Sequence, residues 1–150
     1  MSTNKEVGLH PLFDLALRTV LQEMAGAGHP MVITDGVRTV EQQQGAWRKG
    51  RDAAGNVIDA RRIVTHCDGI RVKSNHQIQD DGFGHAADCT FLDPVMQQPR
   101  WLDSDPWHLY MDCARRHGLV CGGDWPAPKT DKPHVELPHH VATVEPPKAA

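Results

Sequence analysis

Three short segments of this 150-residue chain, Ser74-Asn75-His76, Gly84-His85-Ala86-Ala87-Asp88 and Asp131-Lys132-Pro133-His134, hold the side chains that a hydrolytic metal centre needs. Catalytic zinc sites take three protein ligands from His, Asp, Glu or Cys and leave a fourth position for water, whose pKa then falls to about 7. His76, Asp88 and His134 can supply two imidazoles and a carboxylate, and Asp131 a further acid to move protons. On residue chemistry alone, separated histidines and aspartates also make ordinary structural hydrogen bonds, and that reading stays open. Asp88 is the more pointed case, because a carboxylate drawn toward a core demands a partner or a metal.

The elements that must position these groups can be read from periodicity. Ala87, Cys89 and Phe91 alternate with Asp88 and Thr90, so a strand there turns Asp88 away from the apolar face. His134-Val135-Glu136-Leu137 reads as a last strand before Pro138. Glu136 then shares the face of His134, where it either fixes that imidazole's tautomer or is a plain surface glutamate. Asp131 and His134 converge only if the chain bends at Pro133, and Asp124 is a weaker rival to Asp131 as base.

Elsewhere, Phe13, Leu17, Val20, Leu21 and Met24 fall at helical spacing over residues 11–25, with Pro11 suited to the first turn. Met31-Val32-Ile33 reads as a buried strand, and Thr39 with Gln42 as the capping box of a second helix over residues 40–49. Residues 50–62 form an exposed loop, while Ile63-Val64-Thr65 and Ile70-Arg71-Val72 read as short strands. A third helix begins at Pro106, capped by Ser104 or Asp105, and stops at Gly118; Leu119-Val120-Cys121 is a strand and Gly122-Gly123 a turn. Trp125 is placed to wall a cleft, whereas Trp47, Trp101 and Trp107 read as packing residues. His10, His29, His108 and His117 fall at element ends or helix surfaces, and His139-His140 lie in the tail, all ordinary positions. The pattern predicts an α+β domain over residues 1–138, a small mainly antiparallel sheet packed against helices, and a flexible tail over 139–150.

Bulk properties narrow the function. A 39% hydrophobic, 23% charged chain has the composition of a soluble globular domain. A net charge of -3 without a basic stripe argues against a nucleic-acid partner, so Arg48, Lys49, Arg51, Arg61 and Arg62 read as solvated loop residues. No apolar stretch approaches the roughly 18 residues of a membrane span, so no stable membrane association is expected. The first eight residues lack a secretory pattern, which predicts synthesis for a cytoplasm. Cys67, Cys89, Cys113 and Cys121 show no C-x-x-C spacing and are expected to be reduced.

Read in order, Thr34-Asp35-Gly36-Val37-Arg38-Thr39 with Gln42 or Gln43, Ser74-x-His76, Gly84-His85-Ala86-Ala87-Asp88, Gly122-Gly123-Asp124-Trp125 and Asp131-x-Pro133-His134 resemble the zinc-dependent M15 peptidases. Within that family they are most similar to the phage endolysins that cleave the L-alanyl-D-glutamate bond of peptidoglycan, over about residues 10–137. The resemblance implies Zn2+ held by His76, Asp88 and His134, Asp131 as acid and base, and Arg38 in the cleft on a substrate carboxylate or a developing oxyanion. It further implies an M15/hedgehog-like fold and a monomer acting on the bacterial peptidoglycan stem peptide. Such a protein waits in the host cytoplasm until the membrane is permeabilised and then attacks the wall from the periplasm.

Family members commonly place six residues between the first histidine and the aspartate, whereas eleven intervene here, Gln77 to Ala87. The extra segment Gln77–Gly82 is expected to loop beside the site, with a turn at Asp81-Gly82, and makes His85 a rival first ligand. A D-alanyl-D-alanine carboxypeptidase of the same family is the competing enzyme reading, although those branches more often carry Glu-x-x-Trp-His at the last ligand. A noncatalytic zinc-stabilised wall-binding module is the competing reading from outside catalysis.

Overall fold

His10 opens the first helix by accepting the Leu12 N–H on Nδ1 at 3.1 Å, which satisfies one of the free amides of the helix start ahead of Pro11. This helix, α1 (Pro11–Gly26), buries Phe13, Leu17, Val20 and Met24 along one stripe. The computed structural model describes residues 7–142. After α1 come β1 (Met31–Asp35), α2 (Val40–Arg48), β2 (Ala86–Leu92), β3 (Pro99–Arg100), α3 (Trp107–Arg116), β4 (Val120–Cys121), β5 (His134–Glu136) and the single turn α4 (His139–Ala142). The strands form one antiparallel sheet in the order β1-β2-β5-β4, with β3 pairing the end of β2. The α+β architecture expected from the periodicity is present.

Alternation along β2 divides the sheet into two chemistries. Ala87, Cys89 and Phe91 join Val135, Cys121 and Tyr110 in the core that α1 and α3 cover, so Asp88 projects from the opposite face. Register then selects its neighbours. Asp88 pairs directly with His134 on β5 and, across an irregularity in β1, with Asp35. Directly opposed residues carry Cβ atoms about 4.5–5.5 Å apart, so this pairing alone brings the second carboxylate-imidazole partner within reach.

Several expectations need correction. Ile63–Thr65 and Ile70–Val72 are not strands: the amides of Ile70, Arg71 and Val72 all donate to one Asp68 carboxylate oxygen at 2.8–3.0 Å, which winds that segment into a turn. The loop from 50 to 73 is built from such self-capped turns, with Asp52 accepting from Ala54 and Asn56 and Asp59 from Arg61. Pro106 is the residue before α3 and not its first turn, and no side chain caps that helix, because Asp105 is instead paired with Arg100 at 2.6 Å. His10 is fully buried, packed edge-on against Phe83 and His85. Trp101 is exposed and not a packing residue. The expected tail begins with α4, against which Val141 meets the core; residues 143–150 lie outside the described residues.

Candidate metal centre and catalytic cleft

His76 reaches the polar face of the sheet from the loop before β2, and backbone pairing fixes its approach. The Arg38 N–H donates to the His76 carbonyl at 2.8 Å, the His85 N–H to the Asn75 carbonyl at 2.8 Å, and the His76 N–H to the Ser74 hydroxyl at 3.2 Å. The structure brings His76, Asp88 and His134 together: His76 Nε2 lies 3.5 Å from Asp88 Oδ1 and 3.3 Å from His134 Nδ1, and His134 Nδ1 lies 3.3 Å from the same Oδ1. A tetrahedral zinc with bonds of about 2.0–2.2 Å separates its ligands by about 3.3–3.6 Å. The triangle therefore has the dimensions of three corners of such a site.

Hydrogen bonds on the far side of each ring decide which nitrogens face the triangle. His76 Nδ1 lies 2.8 Å from the Gly36 carbonyl, and His134 Nε2 lies 2.8 Å from Glu136 Oε1. A carbonyl and a carboxylate only accept, so those nitrogens carry the hydrogens, and once the rings are neutral both inward nitrogens present lone pairs. Asp88 Oδ1, buried between them, has no hydrogen-bond donor among the described residues. Three converging acceptors call for a cation, and the donor set suits a divalent ion of the zinc class. Burial opposes charge at His134, yet Asp88 and Glu136 outweigh it and raise the imidazole to about 9. Asp88 is penalised by burial too, but its interactions with His134 and His76 hold it far below the usual carboxylate range. The site thus favours a positive charge at its centre.

The groups around the triangle form a connected network. Glu136 is braced by Asn75 Nδ2, which donates to its other oxygen at 2.7 Å. Arg38 is largely buried and donates to Asp35 at 2.5 Å, to Gln43 Oε1 at 2.9 Å and to Asp88 Oδ2 at 3.4 Å, so it holds the carboxylate oxygen that does not enter the triangle. Gln43, fully buried on α2, donates in turn to Thr65 and to the Cys67 carbonyl. Gln42 is the capping-box residue, which separates the roles of the two glutamines.

Asp131 stands at the rim. Its N–H donates to the Gly122 carbonyl at 2.9 Å and its carbonyl accepts the His134 N–H at 3.2 Å, which gives the bend that the spacing across Pro133 requires. A Cβ on Gly122 would come within 2.5 Å of the Asp131 carbonyl and 2.8 Å of His134 Cβ, so only glycine admits the turn. Burial raises the Asp131 carboxyl and the nearby Asp88 charge raises it further, against His134, His76 and Arg38. A carboxyl pushed upward beside a candidate metal is poised for proton exchange. Trp125 walls the site with its ring 4.9 Å from that of His134.

The rivals fall elsewhere. His85 Nε2 lies 2.6 Å from Asp81 in the Gln77–Gly82 segment, which turns at Gly82 with φ 87° as its Asp-Gly pair suggests. Asp124 is held by Arg115. Glu23, Cys113 and His117 form a second ligand-bearing group, but Cys113, Arg116 and His117 already occupy the Glu23 oxygens. Asn75, the Gly36 carbonyl and the bridging role of Gln43 were not legible as parts of the site, since only tertiary register reveals them.

Residues 69–137 match the M15 peptidase family described as D-alanyl-D-alanine carboxypeptidase. The chain is 26% identical over 129 residues to the peptidoglycan L-alanyl-D-glutamate endopeptidase CwlK of Bacillus subtilis, across 86% of this chain and 73% of that protein. Its fold matches the L-Ala D-Glu endopeptidase ChiX of Serratia marcescens with a TM-score of 0.60 at 18% identity, over 94% of this chain and 89% of ChiX. It also matches the vancomycin-resistance D,D-pentapeptidase VanY, solved in complex with Zn(II), with a TM-score of 0.58 at 15% identity over 86% of this chain and 72% of VanY. The segment that matches the M15 peptidase family contains His76, Asp88, Asp131 and His134.

Proposed function

We propose that this protein is a zinc-dependent peptidoglycan endopeptidase that hydrolyses the L-alanyl-D-glutamate bond of the stem peptide. The observation that carries the reading is the triangle of His76, Asp88 and His134 with its donorless Asp88 oxygen, set beside an upward-shifted Asp131. A divalent ion held there supplies Lewis acidity toward the scissile carbonyl and the attacking water. Asp131 takes the proton from that water and returns it to the leaving amine, so one carboxyl serves as base and then as acid. Arg38 orients Asp88 through Oδ2, while Glu136 and Gly36 keep both imidazoles in the tautomer that faces inward.

The choice of bond is supported by the similarity to CwlK across most of the chain and by the Asp-x-Pro-His arrangement at residues 131–134. The carboxypeptidase reading is favoured by the description of the matched family and by the fold shared with a VanYB structure in complex with D-alanine-D-alanine. Mass spectrometry of digested peptidoglycan separates them: new N-terminal D-glutamate is expected, and free D-alanine without it would overturn the endopeptidase assignment. The role in host lysis extends the same reading, with activity on the wall only after the membrane is breached. Permeabilised bacteria should lose turbidity on addition of the protein and cease to do so with chelator; binding without lysis would instead indicate a wall-binding module.

A further inference from the structure

We propose that Trp101 forms a platform for the amino sugar that carries the stem peptide, a subsite adjoining the candidate active site. The inference rests on the endopeptidase reading and gives that site a second part of its substrate. Trp101 is 57% exposed and Leu102 48%, although Trp107, six residues on, is 7% exposed and serves the core. An indole left in water is informative when the backbone beneath it is rigid, and here it is bolted on both sides. The Arg100 guanidinium donates to Asp105 at 2.6 and 3.2 Å, the Thr90 hydroxyl donates to the Arg100 carbonyl, and Trp107 Nε1 donates to the Leu102 carbonyl at 2.9 Å. Folding therefore presents Trp101 without burying it.

Trp101 and Leu102 line a cleft of about 310 Å³ together with the Thr130–Pro133 segment, including Asp131. That volume lies at the lower end of the roughly 300–1,000 Å³ of small-molecule sites, room for a single ring and not a polymer. Its lining is mixed: the Trp101 indole together with Asp103, Lys132 and Thr130. A pyranose has the matching character, with C–H faces that lie on an aromatic ring and hydroxyl, acetamido and carboxyl groups at its edge. The substrate supplies such a ring at the right place. In peptidoglycan the L-alanine preceding D-glutamate is joined through a lactyl ether to an amino sugar, so the ring stands about two residue lengths, each about 3.3–3.6 Å, from the scissile carbonyl. Carboxypeptidase cleavage at the far end of the stem would leave this cleft without a sugar.

The test compares the metal-loaded protein with Trp101→Ala and Trp101→Phe on one peptide presented free and as its N-acetylmuramoyl conjugate. Trp101→Ala should raise KM for the conjugate about tenfold more than for the free peptide with kcat held, and Trp101→Phe should recover part of the loss. Equal effects on both substrates, or none, would overturn the subsite. A second arm needs no hydrolysis: the peptide-free disaccharide of N-acetylglucosamine and N-acetylmuramic acid is titrated while the Trp101 indole N–H resonance, assigned by its absence in Trp101→Phe, is followed by NMR. A saturable shift supports the platform even if the bond assignment fails, and no shift refutes it even if the enzyme is active.

Discussion

Replacing Glu136 with Gln tests the most detailed part of the site, because that carboxylate touches no triangle corner except through His134. One of its oxygens lies 2.8 Å from His134 Nε2 and the other accepts from Asn75 at 2.7 Å. A glutamine has one accepting oxygen, so either His134 or Asn75 is left facing an NH2 group. Losing such an outer partner typically weakens metal binding 10–100-fold, about 1.4–2.7 kcal/mol. A counter-effect must be weighed. Without metal, Asp88 and Glu136 raise His134 to about 9 against its burial, so at pH 7 an incoming ion must displace a proton held about two pH units too firmly, a penalty of about 100-fold. Removing the Glu136 charge relieves part of that penalty. It also removes attraction for the ion, and because a divalent ion carries twice the charge of a proton, the loss is the larger effect. Two outcomes are therefore expected in competition with a chromophoric chelator. Glu136→Gln binds zinc more weakly at pH 7, and its affinity levels off at a lower pH than the wild type, which should gain about tenfold per pH unit until near 9. An unchanged Kd together with an unchanged pH slope would refute the outer-partner role.

Asp131→Asn should retain zinc stoichiometry and lose about 100- to 10,000-fold in kcat, the usual worth of a general acid or base. Because burial raises the Asp131 carboxyl, its ionised form disfavours the metal-free fold at neutral pH, so the same variant should raise the Tm of metal-free protein; a fall would contradict the burial penalty. Gly122→Ala should lower both metal affinity and turnover by displacing the Asp131 carbonyl and His134 Cβ, and a normal metal content would show that the turn tolerates a methyl group. His10 is shifted downward, by burial first and by His85 also, against Asp81, so its stabilising contribution is complete above about pH 6.5 and is lost as pH falls through its folded value. His10→Asn keeps a helix-capping acceptor and should flatten the urea-unfolding free energy below pH 6.5; an unaltered pH profile would exclude His10 as its source.

Local patterns carried much of the fold. The alternation through Ala87, Cys89 and Phe91, the Thr39–Gln42 box and the Phe13–Met24 stripe are each decided by neighbours within one turn or strand. Ile63–Thr65 and Ile70–Val72 misled because β-branched composition says nothing about whether a partner strand exists, and Asp68 captured the amides first. At the site, Asp88 and Glu136 were readable from period-two geometry. Asn75, Gly36 and Gln43 were not, since their roles arise only when segments 22 to 61 residues apart are brought together, as in the Gln43–Thr65, His76–Gly36 and Asn75–Glu136 contacts. Trp101 was misassigned because no distant segment covers it, whereas His10 sits at a helix end as expected and is buried there by a distant loop.

The long connection between α2 and the His76 segment is held by three aspartates, Asp52, Asp59 and Asp68, each fastening amides within four residues of itself. Its turns are thus separate local clasps, joined to one another and to α2 where Arg51 and Gln43 reach Thr65 and Cys67. One can be exchanged or lengthened while its neighbours stay shut, which gives the protein a margin open to evolutionary variation, and to grafted sequences, at the border of its catalytic half.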